Sequence, residues 1–251
     1  MNRINISDGE WVELLANLRK LPGIHVGSPE TCRRFVGACL WILRSGSQWR
    51  ILPPTHGKWN SIFKRFSRWC ANGAWGNLLS HFSEQADLQD VSMDGSVVRA
   101  HACAAGAAGS AAEKEALGRS KGGFSCKIHA LCDALGMPIK YILTGGQEAE
   151  CQQAIPLLEN VKALAVLADK AYDTDVLRAW LKCRGIKAVI PPKSNRKEKI
   201  ECDYWHYKER HAVECLFGKL KHYRRIATRY EKKAINYMGM LSFASVLLWL
   251  R

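Results

Sequence analysis

Apolar residues recur at helical spacing through the first third of the chain. One early stretch repeats them at steps of three and four, as one face of an amphipathic helix requires. Its members are Trp11, Leu14, Leu15 and Leu18. Farther on, Ser28 is suited to cap a second helix, which runs through an apolar stretch and ends near Gly46. Pro29 fits the first position of that helix, where no hydrogen bond is lost.

A third segment of this region combines basic and aromatic side chains. Residues 58–69 predict an amphipathic helix that Asn72-Gly73 would end, and residues 75–86 predict a further helix. Because helical patterns account for the elements of this region, the sequence predicts an all-α head over residues 1–88.

The pattern changes near residue 90, where strands begin to alternate with helices. A strand is predicted over residues 91–98, and a strand pair over residues 124–131 and 138–143. Later segments follow in the order helix, strand, helix, strand, helix, over residues 148–159, 163–167, 174–183, 186–190 and 203–220. This order predicts an α/β fold, in which helices flank a mixed sheet, over residues 89–251.

Composition and charge narrow the class of protein. The chain has 251 residues, of which 47% are hydrophobic and 24% charged, an ordinary globular balance. No apolar run reaches the roughly 18 residues that a membrane-spanning helix needs. The formal net charge is +14, and a surplus of this size favours polyanionic partners such as DNA, RNA or an acidic membrane surface. The N-terminus carries acids where an export signal would be apolar, so we expect a cytoplasmic protein.

Asp94 interrupts the apolar strand predicted over residues 91–98. Aspartate is disfavoured in strands, and burying a carboxylate is costly unless it has a partner. Its position therefore marks a candidate functional residue. The alternative is a turn, because Asp94-Gly95 is also a turn signal.

Asp169 directly follows the strand predicted over residues 163–167. The carboxyl end of a core strand is where α/β sheets place their functional side chains. The alternative is that Asp169 caps the next helix, although Asp173 and Thr174 suit that role better.

A stripe of polar residues occupies the last predicted helix of the second region. Its members are Tyr207, Arg210, Glu214 and Lys221. Steps of three, four and seven place all four on one side of a helix, which is unusual for a core-facing stripe. The alternative is a solvated charged face with an Arg–Glu pair, which contributes only about a few tenths of a kcal/mol.

Four segments and this stripe together resemble the DDE transposases of bacterial insertion sequences, in the group named insertion-sequence five. The matching segments are Met93-Asp94-Gly95-Ser96, Arg119-Ser120-Lys121-Gly122-Gly123, Leu167-Ala168-Asp169-Lys170-Ala171-Tyr172-Asp173 and the run from Leu220 to Lys232. The similarity covers nearly the whole chain, including the region from Trp49 to Trp69. Two positions depart from the usual pattern, since Ala171 stands where glycine is frequent and Cys215 where arginine is usual.

The resemblance implies an RNase H-like fold that brings three distant carboxylates together. It implies Asp94 on the first strand, Asp169 just after the fourth strand and Glu214 on a later helix. All three would be catalytic and would bind Mg²⁺ or Mn²⁺, ions that prefer oxygen ligands. We expect two ions, because a pair about 3.5–4 Å apart can stabilise both the attacking and the leaving oxygen of phosphodiester cleavage. The implied activity is DNA strand cleavage and strand transfer, the reactions of DNA transposition and recombination.

The same resemblance implies double-stranded DNA as the partner, both as transposon ends and as target DNA. Tyr207, Arg210 and Lys221 would contact DNA near the transposon end, since arginine and lysine suit phosphate and tyrosine can stack or donate a hydrogen bond. Because two ends must be held at once, we expect a homo-oligomer in the active complex. We expect it at the nucleoid of a bacterial cytoplasm, with no membrane partner.

Three basic residues of the predicted third helix, Lys64, Arg65 and Arg68, are further candidates to bind DNA. They alternate with rings that could read the terminal repeats, although the core of the head is the more ordinary place for such rings. The rings are Trp59, Phe63, Phe66 and Trp69.

Two other functions fit the same sequence. One is a DNA-binding relic of a transposase, in which the carboxylates no longer catalyse. The other is a related DNA nuclease that hydrolyses DNA without rejoining it. Cleavage and strand-transfer products on transposon-end DNA would separate the three.

Overall fold

The computed structural model describes residues 5–198 and 200–251 of the chain. Its α-helices are α1 (Asp8–Lys20), α2 (Pro29–Ser45), α3 (Trp59–Ala71), α4 (Ala74–Phe82), α5 (Ala154–Leu158), α6 (Asp175–Lys182), α7 (Tyr204–Tyr207), α8 (His211–Lys221), α9 (Arg224–Ala227) and α10 (Ala234–Trp249). Its strands are β1 (Asp90–Ala100), β2 (Gly118–Ser120), β3 (Gly123–Cys132), β4 (Pro138–Gly145), β5 (Ala165–Leu167), β6 (Lys187–Val189) and β7 (Thr228–Arg229).

The chain forms two compact units. The helical unit consists of the chain up to Phe82 together with Val98–Glu115 and Leu220–Arg251. The sheet unit consists of Ser83–Val97 and Ala116–Lys219. The functional division into a DNA-binding head over residues 1–88 and a catalytic domain over residues 89–251 stays a prediction.

The first helices of the helical unit begin and end where their local chemistry predicts. The Ser28 hydroxyl accepts a hydrogen bond from the Thr31 N–H, and Pro29 occupies the first turn of α2. The helix ends at Gly46, whose φ of 69° lies in the left-handed region that a C-terminal cap requires. The predicted bounds of this helix are therefore confirmed.

Aromatic rings fill the centre of the helical unit. The Trp75 ring of α4 lies 5.3 Å from that of Trp69 and 4.6 Å from that of Phe243, measured between centroids. α10 packs against this cluster and is buried over most of its length. At Gly239 a Cβ atom would collide with the side chain of Cys70, so only glycine allows α10 to approach this closely. The core role of Trp69 is confirmed.

Within the described residues no helix is both long and apolar enough to cross a membrane.

The sheet unit is built on a mixed sheet with β1 at its centre. The strand order is β2-β3-β1-β5-β6, with β4 also paired to β3. β5 is parallel to both β1 and β6, whereas β2 and β4 are antiparallel to β3. The short strand β2 pairs with the start of β3. If β2 is left out of the count, β5 is the fourth strand along the chain, and Asp169 follows it. The predicted α/β class, an RNase H-like mixed sheet flanked by helices with an all-α N-terminal region, is confirmed.

The two faces of this sheet carry different side chains. On one face Val91 and Met93 join a large apolar core with residues of α5 and α6. On the other face Leu167 and Val189 pack with Tyr207 of α7. Because side chains alternate along a strand, Asp94 lies on the face opposite to Met93, which is the face of α7.

Two predicted helices of the sheet unit are shorter or interrupted. The helix expected over residues 148–159 is a 3₁₀ turn, Glu150–Gln153, followed by α5. Pro156 lacks an N–H and is tolerated only in a first turn, which explains why an α-helix begins only at Ala154. The helix expected over residues 203–220 is divided into α7 and α8 by a 3₁₀ turn at Lys208–Arg210.

Candidate functional site

Asp94 lies within β1 and not in a turn, so the turn alternative is wrong. Its side chain is only 20% exposed. Oδ1 accepts a hydrogen bond of 2.8 Å from the Gly95 N–H, and Oδ2 accepts one of 3.0 Å from the Arg210 guanidinium. Burial raises the pKa of Asp94 in spite of these two donors, and the nearby charge of Asp169 raises it further. The carboxylate is thus held in a position where its negative charge is incompletely compensated.

Asp169 lies directly after β5, at the carboxyl end of that strand. Its Oδ1 accepts a hydrogen bond of 2.8 Å from the Ala171 N–H and so caps the 3₁₀ turn Lys170–Tyr172. The next helix, α6, is capped by Thr174 instead. The backbone therefore fixes the Asp169 carboxylate, and this carboxylate lies close enough to Asp94 to affect its ionisation.

Glu214 projects from α8 and is 58% exposed. It forms an ion pair with Arg210, one helical turn earlier, as its spacing predicts. The same guanidinium binds Asp94, so Arg210 joins two carboxylates that are far apart in the chain. The carbon at the centre of this guanidinium lies 5.8 Å from the centroid of the Tyr207 ring.

Glu150 is an acidic neighbour of this group that the sequence analysis missed. It lies in the 3₁₀ turn before α5, and its Oε1 is 3.3 Å from the Lys127 Nζ. Burial raises the pKa of Glu150, and the charges of Asp94 and Asp169 raise it further. The sequence feature that could have indicated an acidic partner is Lys127, a cation inside an apolar strand. A buried lysine needs a carboxylate or carbonyl partner.

Tyr172 contributes a buried hydroxyl to the same region. The residue is fully buried, and its hydroxyl has no hydrogen-bond partner among the described residues. Burial raises the pKa of Tyr172, and the charges of Glu150 and Asp94 raise it further.

The donor atoms of this region fit a hard divalent cation in their chemistry. Asp94, Asp169 and Glu214 offer carboxylate oxygens, the ligands that Mg²⁺ and Mn²⁺ favour. Within the part of the chain that is described, no three histidine, cysteine or acidic residues are already arranged around one ion position. Arg210 is the cation that contacts both Asp94 and Glu214.

The basic residues predicted to bind DNA differ in their surroundings. Lys64 and Arg68 of α3 are exposed, as is Lys221 at the end of α8. Arg65 instead donates a hydrogen bond of 2.8 Å to the Val26 carbonyl and lies 4.3 Å from the Phe35 ring centroid. These four residues belong to the helical unit, whereas Tyr207 and Arg210 belong to the sheet unit.

Two family models together match most of the chain. The model described as "Transposase DDE domain" matches residues 85–249. A second model, described as a transposase of the IS4/5 family, matches residues 6–79.

Individual proteins show the same similarity. A Brucella ovis protein named as a transposase for insertion sequence element IS6501 is 44% identical over 128 residues, which are 50% of this chain and 98% of that protein. A Burkholderia cepacia protein named as a transposase for insertion sequence element IS402 is 30% identical over 134 residues, which are 49% of this chain and 61% of that protein. The solved structure titled "Crystal structure of a pre-cleavage Mos1 transpososome" is 11% identical, with 88% of this chain and 97% of that chain covered and a TM-score of 0.27.

The strand order of this chain is what defines its fold, since a TM-score of 0.27 is too low to do so. The DDE-domain model spans more than half of the chain, and nearly the whole Brucella protein is matched at 44% identity. This chain therefore belongs to the DDE-domain transposases of insertion sequences.

Proposed function

We propose that this transposase cuts and rejoins double-stranded DNA with divalent metal ions bound by Asp94, Asp169 and Glu214. The observation that carries the proposal is the environment of Asp94. Its carboxylate lies on the central strand and is only 20% exposed, the charge of Asp169 acts on it, and its hydrogen-bond donors do not offset the cost of burial. Burying an anion without full compensation is costly, and a divalent cation is the partner that would remove that cost. Glu214 joins the group through Arg210.

The chain's own contribution is to fix the ligands. The N–H groups of Gly95 and Ala171 orient the carboxylates of Asp94 and Asp169 through hydrogen bonds of 2.8 Å each. When bound, two Mg²⁺ or Mn²⁺ ions supply stabilisation of the charge on the attacking and leaving oxygens of the phosphodiester. Such preorganised carboxylates need little rearrangement during the reaction.

Arg210 has a second role in this proposal. Its guanidinium neutralises Asp94 and Glu214 as the chain stands. Cations at these carboxylates would release it toward a DNA phosphate, for which a planar guanidinium is well suited. The Tyr207 ring lies beside the guanidinium and would stay close to the same DNA.

DNA binding by the remaining basic residues follows from exposure and charge. Lys64, Arg68 and Lys221 are exposed cations in a chain of net charge +14, and each could neutralise a phosphate. Arg65 supports the helical unit through its contacts with Val26 and Phe35, so we expect its effect on DNA binding to be indirect. In this proposal residues 1–88 bind transposon ends, residues 89–251 catalyse, and a homo-oligomer holds two ends for insertion into target DNA.

The substitution Asp94→Asn tests the proposal. It keeps the shape of the side chain and removes its charge. We expect cleavage of the DNA ends that flank the gene, measured with Mn²⁺, to fall about 10³-fold, the factor that about 4 kcal/mol of lost transition-state stabilisation produces. DNA affinity should change less than about threefold, because Asp94 binds no phosphate.

Asp90→Asn is the matched control. Asp90 lies on the same strand and the same face, but its Oδ2 is 2.7 Å from the His206 Nε2. Its cleavage rate should stay within about threefold of the unsubstituted chain, as for most changes away from a reacting centre. Wild-type cleavage by the Asp94→Asn protein would overturn the proposal. Cleavage without strand-transfer products in the unsubstituted chain would indicate a nuclease, and DNA binding without any cleavage would indicate a relic.

A further inference from the structure

Glu150 lies against the strand that carries Asp94. A Cβ atom built on Gly95 would be 2.8 Å from Cγ, Cδ and Oε1 of Glu150. This is closer than real Cβ atoms approach other groups, so the glycine next to Asp94 is what lets the Glu150 side chain lie there. The side chain is only 20% exposed. A fourth carboxylate thus lies against β1 at the residue next to Asp94. Because side chains alternate along a strand, it approaches from the face opposite to Asp94, yet the charges of Asp94 and Asp169 still act on it.

Lys127 accounts for only part of this carboxylate's charge. Its Nζ is 3.3 Å from Oε1 of Glu150 and also donates a hydrogen bond of 2.7 Å to the Glu148 carbonyl. The lysine is therefore shared, and its side chain is only 11% exposed. An ionised carboxylate has two oxygens with about four acceptor positions, so one shared lysine does not exhaust the capacity of Glu150 to bind a second cation.

The charges of the region do not balance. Asp94, Glu150 and Glu214 form ion pairs with two cations, Arg210 and Lys127, and the charge of Asp169 acts on Asp94 and Glu150. These four carboxylates exceed the two cations by two negative charges, an excess that favours the binding of divalent cations. Like charges gathered in a partly buried place repel one another unless a cation joins them.

The Tyr172 hydroxyl is an independent observation at this place. It is fully buried and has no partner among the described residues, although it lies within electrostatic reach of Glu150, Asp94 and Asp169. A buried hydroxyl without a hydrogen bond costs about 1–3 kcal/mol. An oxygen held by a cation among these carboxylates would give this hydroxyl its partner.

We propose that Glu150 is a fourth carboxylate of the divalent-cation site and that the Tyr172 hydroxyl positions an oxygen ligand of the bound cation. The inference rests on the proposed function, since it adds to the same site. Glu150 would bind the cation directly or through its water, and Tyr172 would be a positioning residue.

Direct binding of Mn²⁺ to the full chain without DNA tests the role of Glu150. Free Mn²⁺ is measured by its electron paramagnetic resonance signal during titration. Glu150→Gln should weaken binding at least about tenfold, equivalent to about 1.4 kcal/mol. Glu148→Gln is the matched control, because Glu148 contacts Lys127 through its backbone carbonyl. This control should bind Mn²⁺ within about twofold of the unsubstituted chain.

A double variant guards against loss of folding. Glu150→Gln alone leaves Lys127 buried without its carboxylate, whereas Lys127→Met with Glu150→Gln removes the pair together. The double variant should bind Mn²⁺ as weakly as the single one. If both bind as well as the unsubstituted chain while Asp94→Asn loses binding, the inference about Glu150 is wrong and the proposed function stands. If Asp94→Asn also binds normally, the metal site of the proposed function is wrong.

Tyr172→Phe tests the second half of the inference. Because the hydroxyl has no protein partner, its removal should not lower the melting temperature without metal. The rise in melting temperature that Mn²⁺ produces should become smaller, since this rise depends on the affinity of the folded state. An undiminished rise would show that Tyr172 positions no ligand of the cation.

Discussion

Asp173, which is buried, and Asp94, whose side chain is 20% exposed, are aspartates of the same unit with opposite electrostatic surroundings. Asp173 accepts hydrogen bonds from the Arg178 Nε at 2.6 Å, the Arg196 Nε at 2.9 Å and the Lys193 N–H at 2.8 Å. Burial alone would raise the pKa of Asp173, but these donors hold it well below its usual range. Asp94 has the Gly95 N–H and a guanidinium that it shares with Glu214, and its pKa is raised.

The difference separates a structural carboxylate from one suited to bind a ligand. Asp173 has more donors than its burial demands, so it holds α6 and the segment around Arg196 together. Asp94 has fewer than its burial demands, so a further cation would stabilise it. Burial by itself therefore does not distinguish Asp94 from Asp173. The balance between burial and hydrogen-bond donors does.

The largest effect on stability should come from Asp173→Ala. The change leaves Arg178 and Arg196, whose side chains are 14% and 16% exposed, without the carboxylate that both bind. Breaking such a buried pair costs about 3–5 kcal/mol. Urea denaturation of the metal-free chain measures the loss in the free energy of unfolding.

Asp175→Ala is the control for that change. Asp175 also binds Arg196, at 2.7 Å, but its side chain is 88% exposed. Its loss should cost less than about 1 kcal/mol, as for a surface ion pair. Equal losses from the two substitutions would remove the contrast between Asp173 and an ordinary surface carboxylate.

A smaller effect, and one that depends on metal, is expected from Arg210→Gln. Without Arg210 the buried Asp94 keeps the Gly95 N–H and the repulsion of Asp169. The metal-free chain should lose about 1–3 kcal/mol in its free energy of unfolding, the cost of an uncompensated buried polar group. Because Mn²⁺ would replace the missing positive charge, saturating Mn²⁺ should restore most of this loss.

Arg178→Gln provides the contrast, since Arg178 binds the fully compensated Asp173. Mn²⁺ should restore none of its lost stability. If Mn²⁺ rescued both variants equally, or neither, Asp94 and Asp173 would not differ in their capacity to take up a cation.

Local chemistry made much of the fold predictable. The strand pair predicted over residues 124–131 and 138–143 is confirmed as β3 and β4, and in the turn between them the Asp133 Oδ1 accepts hydrogen bonds from the Leu135 and Met137 N–H groups. The cap at Ser28 followed from the same kind of reasoning. Such features involve residues a few positions apart, so the sequence itself shows which groups can meet.

The contacts of the candidate site were only partly predictable. Spacing indicated the pair of Arg210 with Glu214, but the partner across the unit, Asp94, lies 116 residues away. Glu150 lies against β1 at Gly95, where a Cβ atom would collide with its side chain. No local pattern encodes this approach between residues that are far apart in the chain. The resemblance named Asp94, Asp169 and Glu214, and their role in binding metal stays a prediction.

The most modest expected effect is in the pH dependence of stability, and it comes from Asp173. Since the pKa of Asp173 is lower in the folded chain than in the unfolded chain, its ion pairs contribute fully above the unfolded value of about 3.9. That contribution is lost as the pH falls from about 4 toward the folded pKa, because the unfolded state takes up a proton in this range while Asp173 of the folded state stays ionised. The free energy of unfolding should therefore fall more steeply between about pH 4 and pH 2 in the unsubstituted chain than in Asp173→Asn.

Urea denaturation at steps of pH measures both slopes, and Asp175→Asn should keep the steeper one because the exposed Asp175 contributes little. Parallel curves for the unsubstituted chain and Asp173→Asn would mean that the donors around Asp173 stabilise its charge no better than water does, and the contrast with Asp94 would then lose its physical basis.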